Sequence, residues 1–178
     1  MELTLAQWFA ELDGHREPIP LAVLTRGIQR LRVDPEAIRP FLVFSPERYR
    51  RNLMHAGPRY HALILCWRSG QSSPVHDHRG SACAVRVISG RATETVFEMT
   101  EEGRVFPVRT RTLSAGFTCA TQDLDIHRIA NGQPVGNDLV TLHLYSPPLL
   151  VMGQYSLYDY SKLEFRDEVY SLVGGEGI

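Results

Sequence analysis

The chain has 178 residues, 43% of them hydrophobic and 22% charged, the balance of an ordinary globular protein with enough apolar material for one core without disulfides. Nineteen basic residues against twenty acidic ones give a net charge of −1, which excludes a strongly basic nucleic-acid surface and an acidic tail. Cys66, Cys83 and Cys119 are odd in number and dispersed, the usage of a reducing, cytoplasmic setting rather than of a disulfide framework.

The opening segment MELTLAQWFAELDG is amphipathic and acidic, unlike a signal peptide. Thr4 with Gln7 three residues later has the form of a capping box, and Leu5, Trp8, Phe9 and Leu12 recur at helical spacing. A second helix is expected from about Pro20 to Leu31, with Leu21, Leu24, Ile28 and Leu31 on one face. Asp34 and Pro35 read as the N-cap and first position of a short third piece that Pro40 ends. After Ser45-Pro46 the period changes from 3.6 to 2: Tyr49, Arg51 and Leu53 alternate with Arg50, Asn52 and Met54. The turn Ala56-Gly57-Pro58 then leads into the apolar strand Tyr60–Trp67. Strand-like runs follow at 82–88, 91–98, 105–113, 117–120, 126–130 and 139–146, separated by turn signals such as Ser89-Gly90, Glu102-Gly103 and Asn131-Gly132. Helices first and then many short strands predict a mainly β protein, a β-sandwich or small β-barrel. No repeat or linker divides the chain, so residues 1–178 read as one domain, with 1–44 a helical extension packed on the β body. The apolar runs 61–67 and 147–152 are far too short to cross a bilayer. No membrane or nucleic-acid partner is expected, and the chain is expected to be a monomer.

Seven histidines remain to be placed. His76 and His78 lie two positions apart in Gly70-Gln-Ser-Ser-Pro-Val-His76-Asp77-His78, so in extended backbone both imidazoles point to the same side. The stretch from Gly70 through His76 and His78 to Gly90 resembles the first motif of the cupin superfamily, with Cys83 where that motif has an acid. His127-Arg-Ile-Ala-Asn131 resembles the second motif, although its upstream glycine and proline are not kept. Without the carboxylate, three neutral imidazoles leave a divalent metal's charge uncompensated and several positions open, which favours an anionic, chelating substrate.

Three segments together make the resemblance specific. The run from Cys66-Trp67 through His76-Asp77-His78 to Cys83, the segment Asp125-Ile-His127-Arg128, and Thr141-Leu-His143-Leu-Tyr145-Ser146-Pro147-Pro148 are similar to the cysteine dioxygenase family over roughly residues 45–150. The resemblance implies a cupin-type, jelly-roll-like small β-barrel behind the short N-terminal helices. It implies Fe(II) held by His76, His78 and His127, and oxidation of L-cysteine by both atoms of O2 to cysteine sulfinic acid. By softness alone three imidazoles also suit zinc, copper or nickel, so iron comes from the resemblance.

Arg51 matches the family's arginine that pairs with the substrate carboxylate, and a planar guanidinium suits that task. Arg50 is the competitor; alternation puts the two on opposite faces, so one of them faces the pocket. Relatives that oxidise mercaptopropionate have glutamine at this position. Thr141, His143 and Tyr145 alternate on one face of 139–146 and would point into the barrel, an expensive placement unless each polar group has a partner. The family has serine, histidine and tyrosine in hydrogen-bonded series there; Thr141 keeps the hydroxyl, His143 would position the Tyr145 phenol, and both are expected to be catalytic. Cys83 and Tyr145 match the partners of a thioether cross-link found in some relatives, the alternative for Cys83 being a small buried hydrophobe. Cys66 and Cys119 read as core cysteines, and His15, His55 and His61 as surface or structural residues. The resemblance suggests a cis Ser146–Pro147 bond, with a trans bond the alternative. The rival functions are a dioxygenase for another small thiol (3-mercaptopropionate or cysteamine), a non-catalytic metal-binding cupin, and a zinc hydrolase or lyase.

Overall fold

The computed structural model describes residues 2–122, 126–166 and 168–171. Helix α1 spans Leu5–Asp13 and starts with the expected reciprocal cap, Thr4 receiving the Gln7 backbone N–H while the Gln7 side chain receives that of Thr4. Helix α2 spans Leu21–Arg30 and α3 spans Pro35–Ile38, with Asp34 capping Glu36, before a 3-10 turn at Arg39–Phe41. Strands β1 (Arg50–Gly57), β2 (Tyr60–Trp67), β3 (Ala82–Ser89), β4 (Arg91–Met99), β5 (Val105–Ser114), β6 (Thr118–Thr121), β7 (Ile126–Ala130) and β8 (Leu139–Ser146) follow. This is the mainly β, jelly-roll-like arrangement behind short helices that the sequence leads one to expect.

Three further strands were not legible in the sequence: β9 (Met152–Tyr155), β10 (Lys162–Phe165) and β11 (Val169–Ser171). They are three or four residues long, and β10 has three exposed residues in succession, so no alternation marks them. The first hairpin also differs. Strand β1 runs on through Gly57, and the turn falls at Pro58-Arg59, because a bulge between Leu53 and His55 resets the register against β2.

The strands form separate sheets of six, three and two, in the orders β11-β1-β2-β8-β3-β6, β5-β4-β7 and β10-β9, rather than one continuously bonded barrel. Single bridges tie the walls together: Ser72 with Ala130, His76 with His127, and His76 with Gln154. Gly90 closes the β3–β4 turn at a φ of 80°, and a Cβ there would lie 2.5 Å from the Asp138 carbonyl, so only glycine fits this end of the first motif.

Period 2 sorts the six-stranded sheet into two faces. Tyr60, Ala62, Ile64 and Cys66 of β2 and Val140, Leu142 and Leu144 of β8 pack against Trp8, Leu12, Leu24 and Ile28 of α1 and α2. Leu63, Leu65 and Trp67 of β2, with Cys83 and Tyr145, pack instead towards Ala92, Leu113 and Ile129 of the smaller sheet. Helices cover one face and a second sheet covers the other, so all eight residues of β8 are buried. Asn52 fastens the helical layer to β1, its amide donating to the carbonyls of Phe41 and Val43, 2.9 Å from each. Truncation at the centre of the helix-facing core, Leu142→Ala, is expected to cost about 2–5 kcal/mol in urea denaturation. Leu163→Ala, where the side chain is 61% exposed, should stay within about 0.5 kcal/mol of the parent.

Candidate metal centre

His76 and His127 are brought together by backbone. Each donates its N–H to the other's carbonyl, at 2.9 and 3.0 Å, which fastens the loop after β2 to β7. His78 lies two residues further along, and the ring centroids of the three histidines are 4.8–5.4 Å apart. One ring nitrogen from each lies within 4.8 Å of the others, and all three side chains are buried. Burial, with help from the neighbouring His127, lowers His76 to about 3, and the same causes hold His78 well below its ordinary value. Both are therefore neutral, with lone pairs available. The Nδ1 atoms of His76 and His127 are engaged on the outside, by the Pro74 carbonyl at 3.0 Å and by Glu94 at 3.1 Å. Their Nε2 atoms are left for the space the three rings share. His78 Nδ1 has no hydrogen-bond partner among the described residues. A buried, converging imidazole set, two of its members held by outer partners, fits a divalent transition metal.

Two supporting groups were missed in the sequence. Glu94 is 5% exposed and accepts from His127 Nδ1 and from Arg111 Nε. Burial alone would raise its carboxyl, but these two bonds outweigh that and hold it down at about 2. The signal was present: Glu94 occupies the same inward phase of β4 as Ala92, an acid where alternation calls for an apolar residue. The second is Asp77, between the two histidines. Its carboxylate accepts from the Gly153 N–H at 2.8 Å, the Tyr155 hydroxyl at 2.6 Å and Lys162 Nζ at 3.1 Å. Burial pushes the Asp77 carboxyl up, and these donors more than reverse it. A Cβ on Gly153 would sit 2.5 Å from Asp77 Oδ2, so the close approach needs glycine. The hairpin of β9 and β10 thereby clamps the histidine loop from behind.

Thr141, His143 and Tyr145 point inward from β8, as alternation predicts. His143 Nε2 lies 3.0 Å from Thr141 Oγ1, and His143 Nδ1 lies 2.8 Å from the Tyr145 hydroxyl. Burial, then the nearby His127, lowers His143 to about 3. The Tyr145 and His78 ring centroids are 5.9 Å apart. Arg51 is 2% exposed; its Nη2 donates to the Leu149 carbonyl at 3.1 Å, and its Cζ lies 5.8 Å from the Tyr145 ring. Arg50 turns the other way, bonding Asn52 and lying over the Tyr170 ring at 3.9 Å. Of the two, Arg51 shares the interior with the histidines. Cys83 on β3 stands directly opposite Tyr145 on β8, and both side chains belong to the same buried cluster. The Ser146–Pro147 bond is cis. Cys66 is buried, whereas Cys119 is half-buried rather than a core residue. His15, His55 and His61 lie partly exposed, His55 stacked on Phe9 and His61 opposite Tyr145 across β2 and β8. Asp125 of the second segment lies outside the described residues.

The family model described as cysteine dioxygenase type I matches residues 23–158. The chain belongs to that family. Cysteine dioxygenase type 1 of Danio rerio is 33% identical over 120 residues, which cover 65% of this chain and 59% of the fish protein. The Rattus norvegicus protein of the same name is 34% identical over 109 residues, 59% of this chain and 54% of the rat protein. The chain thus spans between half and two thirds of the length of these curated relatives. Among solved structures, a Klebsiella pneumoniae protein with a double-stranded β-helix domain matches with a TM-score of 0.48 and 16% identity, covering 62% of this chain and 86% of that one. No helix among the described residues is long and apolar enough to cross a membrane.

For a cysteine dioxygenase type I family member with this site, two outcomes are expected. Glu94→Gln removes the carboxylate behind His127 and should weaken metal binding about 10–100-fold, read by competition with a chelating dye. Stability of the metal-free chain should also rise with pH between about 3 and 6.5. The unfolded chain binds protons on these histidines near 6.5, while folded His76 and His143 bind them only near 3. Their contribution is therefore complete above 6.5 and lost as pH falls towards 3. Thermal unfolding across that range checks the sign; a midpoint that climbs with acidification would contradict buried neutral imidazoles.

Proposed function

We propose that the chain is an iron-dependent thiol dioxygenase that oxidises L-cysteine with O2 to cysteine sulfinic acid. The observation that carries this reading is the convergence, in one interior, of three buried imidazoles, one buried arginine and a hydrogen-bonded Thr141–His143–Tyr145 series. Family membership supplies the reaction class. His76, His78 and His127 would hold the metal. Fe(II) held there would supply the redox chemistry by which both oxygen atoms of O2 pass to sulfur.

The remaining work falls to this chain's own side chains. Arg51 pairs with the substrate carboxylate; burial beside an apolar wall strengthens that bond, and its tie to the Leu149 carbonyl aims the guanidinium. His143, neutral and locked between Thr141 and Tyr145, keeps the phenol from swinging and holds it against the reacting groups. The sheet-on-sheet core around Trp67, Leu65 and Val169 excludes water from the site. Cys83 and Tyr145, opposite each other across β3 and β8, would be the partners of a thioether. Its formation would break the Cys83 S–H bond and one ring C–H bond of Tyr145, join Sγ to that carbon, and pass the two electrons and two protons to O2, giving H2O2. The cross-linked chain should weigh less by those two hydrogens, and Cys83→Ser should abolish the difference in intact-protein mass spectrometry.

Oxygen uptake by the iron-loaded chain should depend on cysteine and yield the sulfinic acid, identified by the mass of the product. Uptake that ignores every thiol would sink the reading. Arg51→Gln removes a charge-assisted carboxylate pair worth about 1.5–3 kcal/mol, and should lower kcat/KM for cysteine about 10–100-fold. Turnover of 3-mercaptopropionate should fall less. Equal preference for the two thiols in parent and variant would remove the role given to Arg51.

A further inference from the structure

Trp67 closes β2 with its indole inside the core, 1% exposed, stacked on Tyr49 at a centroid distance of 4.1 Å and an interplanar angle of 12°. Its backbone carbonyl receives the Asn131 side-chain amide at 3.0 Å, so ring and main chain are both fixed. Its indole Nε1 lies 3.0 Å from Thr141 Oγ1. The threonine oxygen therefore has two neighbours, Trp67 Nε1 and His143 Nε2, each at 3.0 Å, and it is 1% exposed.

An indole nitrogen can only donate, whereas a hydroxyl and a neutral imidazole can each do either. Thr141 Oγ1 must accept from Trp67. If His143 Nε2 carried the ring proton, Thr141 would accept twice, and its own proton would be buried with no acceptor among the described residues, at a cost of about 1–3 kcal/mol. If Nε2 is bare, the Thr141 proton goes to it and every group is satisfied. The neutral ring then carries its proton on Nδ1, 2.8 Å from the Tyr145 oxygen, which accepts it.

We propose that Trp67 sets the direction of this series: its indole proton forces Thr141 to donate to His143, fixes His143 as the Nδ1–H tautomer, and turns the Tyr145 hydroxyl proton away from His143. Trp67 is a positioning residue in this account, acting through two others. The consequence for catalysis, and only that consequence, rests on the thiol dioxygenase reading: Tyr145 meets the reacting anionic groups as a hydrogen-bond donor and not as an acceptor that would repel them.

The experiment is a long-range proton–nitrogen correlation spectrum of the full chain with ¹⁵N-labelled histidine, loaded with diamagnetic Zn(II). Wild type should show His143 as one tautomer, with Nδ1 protonated and Nε2 bare. Trp67→Phe keeps the aromatic stack and removes the donor, and should give a mixture of tautomers. Benzothienylalanine at position 67, with sulfur in place of the N–H and nearly the same shape, should do the same should the phenylalanine variant fail to fold. Thr141→Ser, which keeps the hydroxyl, should retain the single tautomer, and Thr141→Val should not. A protonated Nε2 in wild type overturns the proposal, and so does an Nδ1–H tautomer that survives loss of the indole donor. In the iron-loaded chain Trp67→Phe should lower kcat about tenfold while KM for cysteine stays within about twofold. A chain that oxidises no thiol counts against the proposed function and leaves the tautomer result standing.

Discussion

A polar side chain between two packed sheets must find a partner inside the protein, because no water is there to supply one. The inner face of β8 puts three such side chains, Thr141, His143 and Tyr145, where Leu63, Leu65 and Trp67 set the environment. Their mutual bonds meet that demand, and the demand in turn holds them still. The same constraint runs through the rest of the interior. Glu94 is bound by His127 and Arg111, Asp77 by Gly153, Tyr155 and Lys162, and Arg51 by the Leu149 carbonyl. The helices make this arrangement affordable in stability: they give the outer face of β8 an apolar partner, so the six-stranded sheet keeps one conventional core while the other face carries chemistry.

Charge is distributed with similar economy. The sequence offers no carboxylate among the three histidines, since Cys83 stands at the motif's acidic position. The structure supplies two nearby, Glu94 behind His127 and Asp77 between His76 and His78, both held ionised by their donors. Negative charge reaches the three-histidine group through the His127 imidazole and through the residue between His76 and His78, not through a carboxylate oxygen within the group. Among the described residues the three-histidine group offers nitrogen atoms alone, and the buried guanidinium of Arg51 lies in the same interior.

Much of this was legible along the chain wherever the cause is local. The capping box at Thr4 and Gln7, the alternation of Thr141, His143 and Tyr145, the His76–His78 pair and the opposite facing of Arg50 and Arg51 all follow from periods of 3.6 or 2. What escaped is what joins distant segments. Glu94 meets His127 from 33 positions away, Trp67 meets Thr141 from 74, and Lys162 meets Asp77 from 85. No spacing rule links such pairs. Glu94 alone left a trace, as an acid in an apolar phase. Strands β9 to β11 escaped for a different reason: they are too short for alternation to stand out, and they are strands because the histidine loop and β1 offer them edges to pair with.

Lys162 is the one lysine in the sequence, and it is engaged with Asp77 and Tyr155 behind the histidine loop while its side chain remains 47% exposed. The bond to Tyr155, followed by the Asp77 contacts, raises its pKa against the opposing effect of burial, which keeps the amine protonated and a poor nucleophile. Amine-directed labels, surface coupling and cross-linkers therefore meet a single lysine side chain, and they meet it in a slow-reacting state. The rate at which that lysine is labelled becomes a gauge of how often the clamp behind the histidine loop lets go.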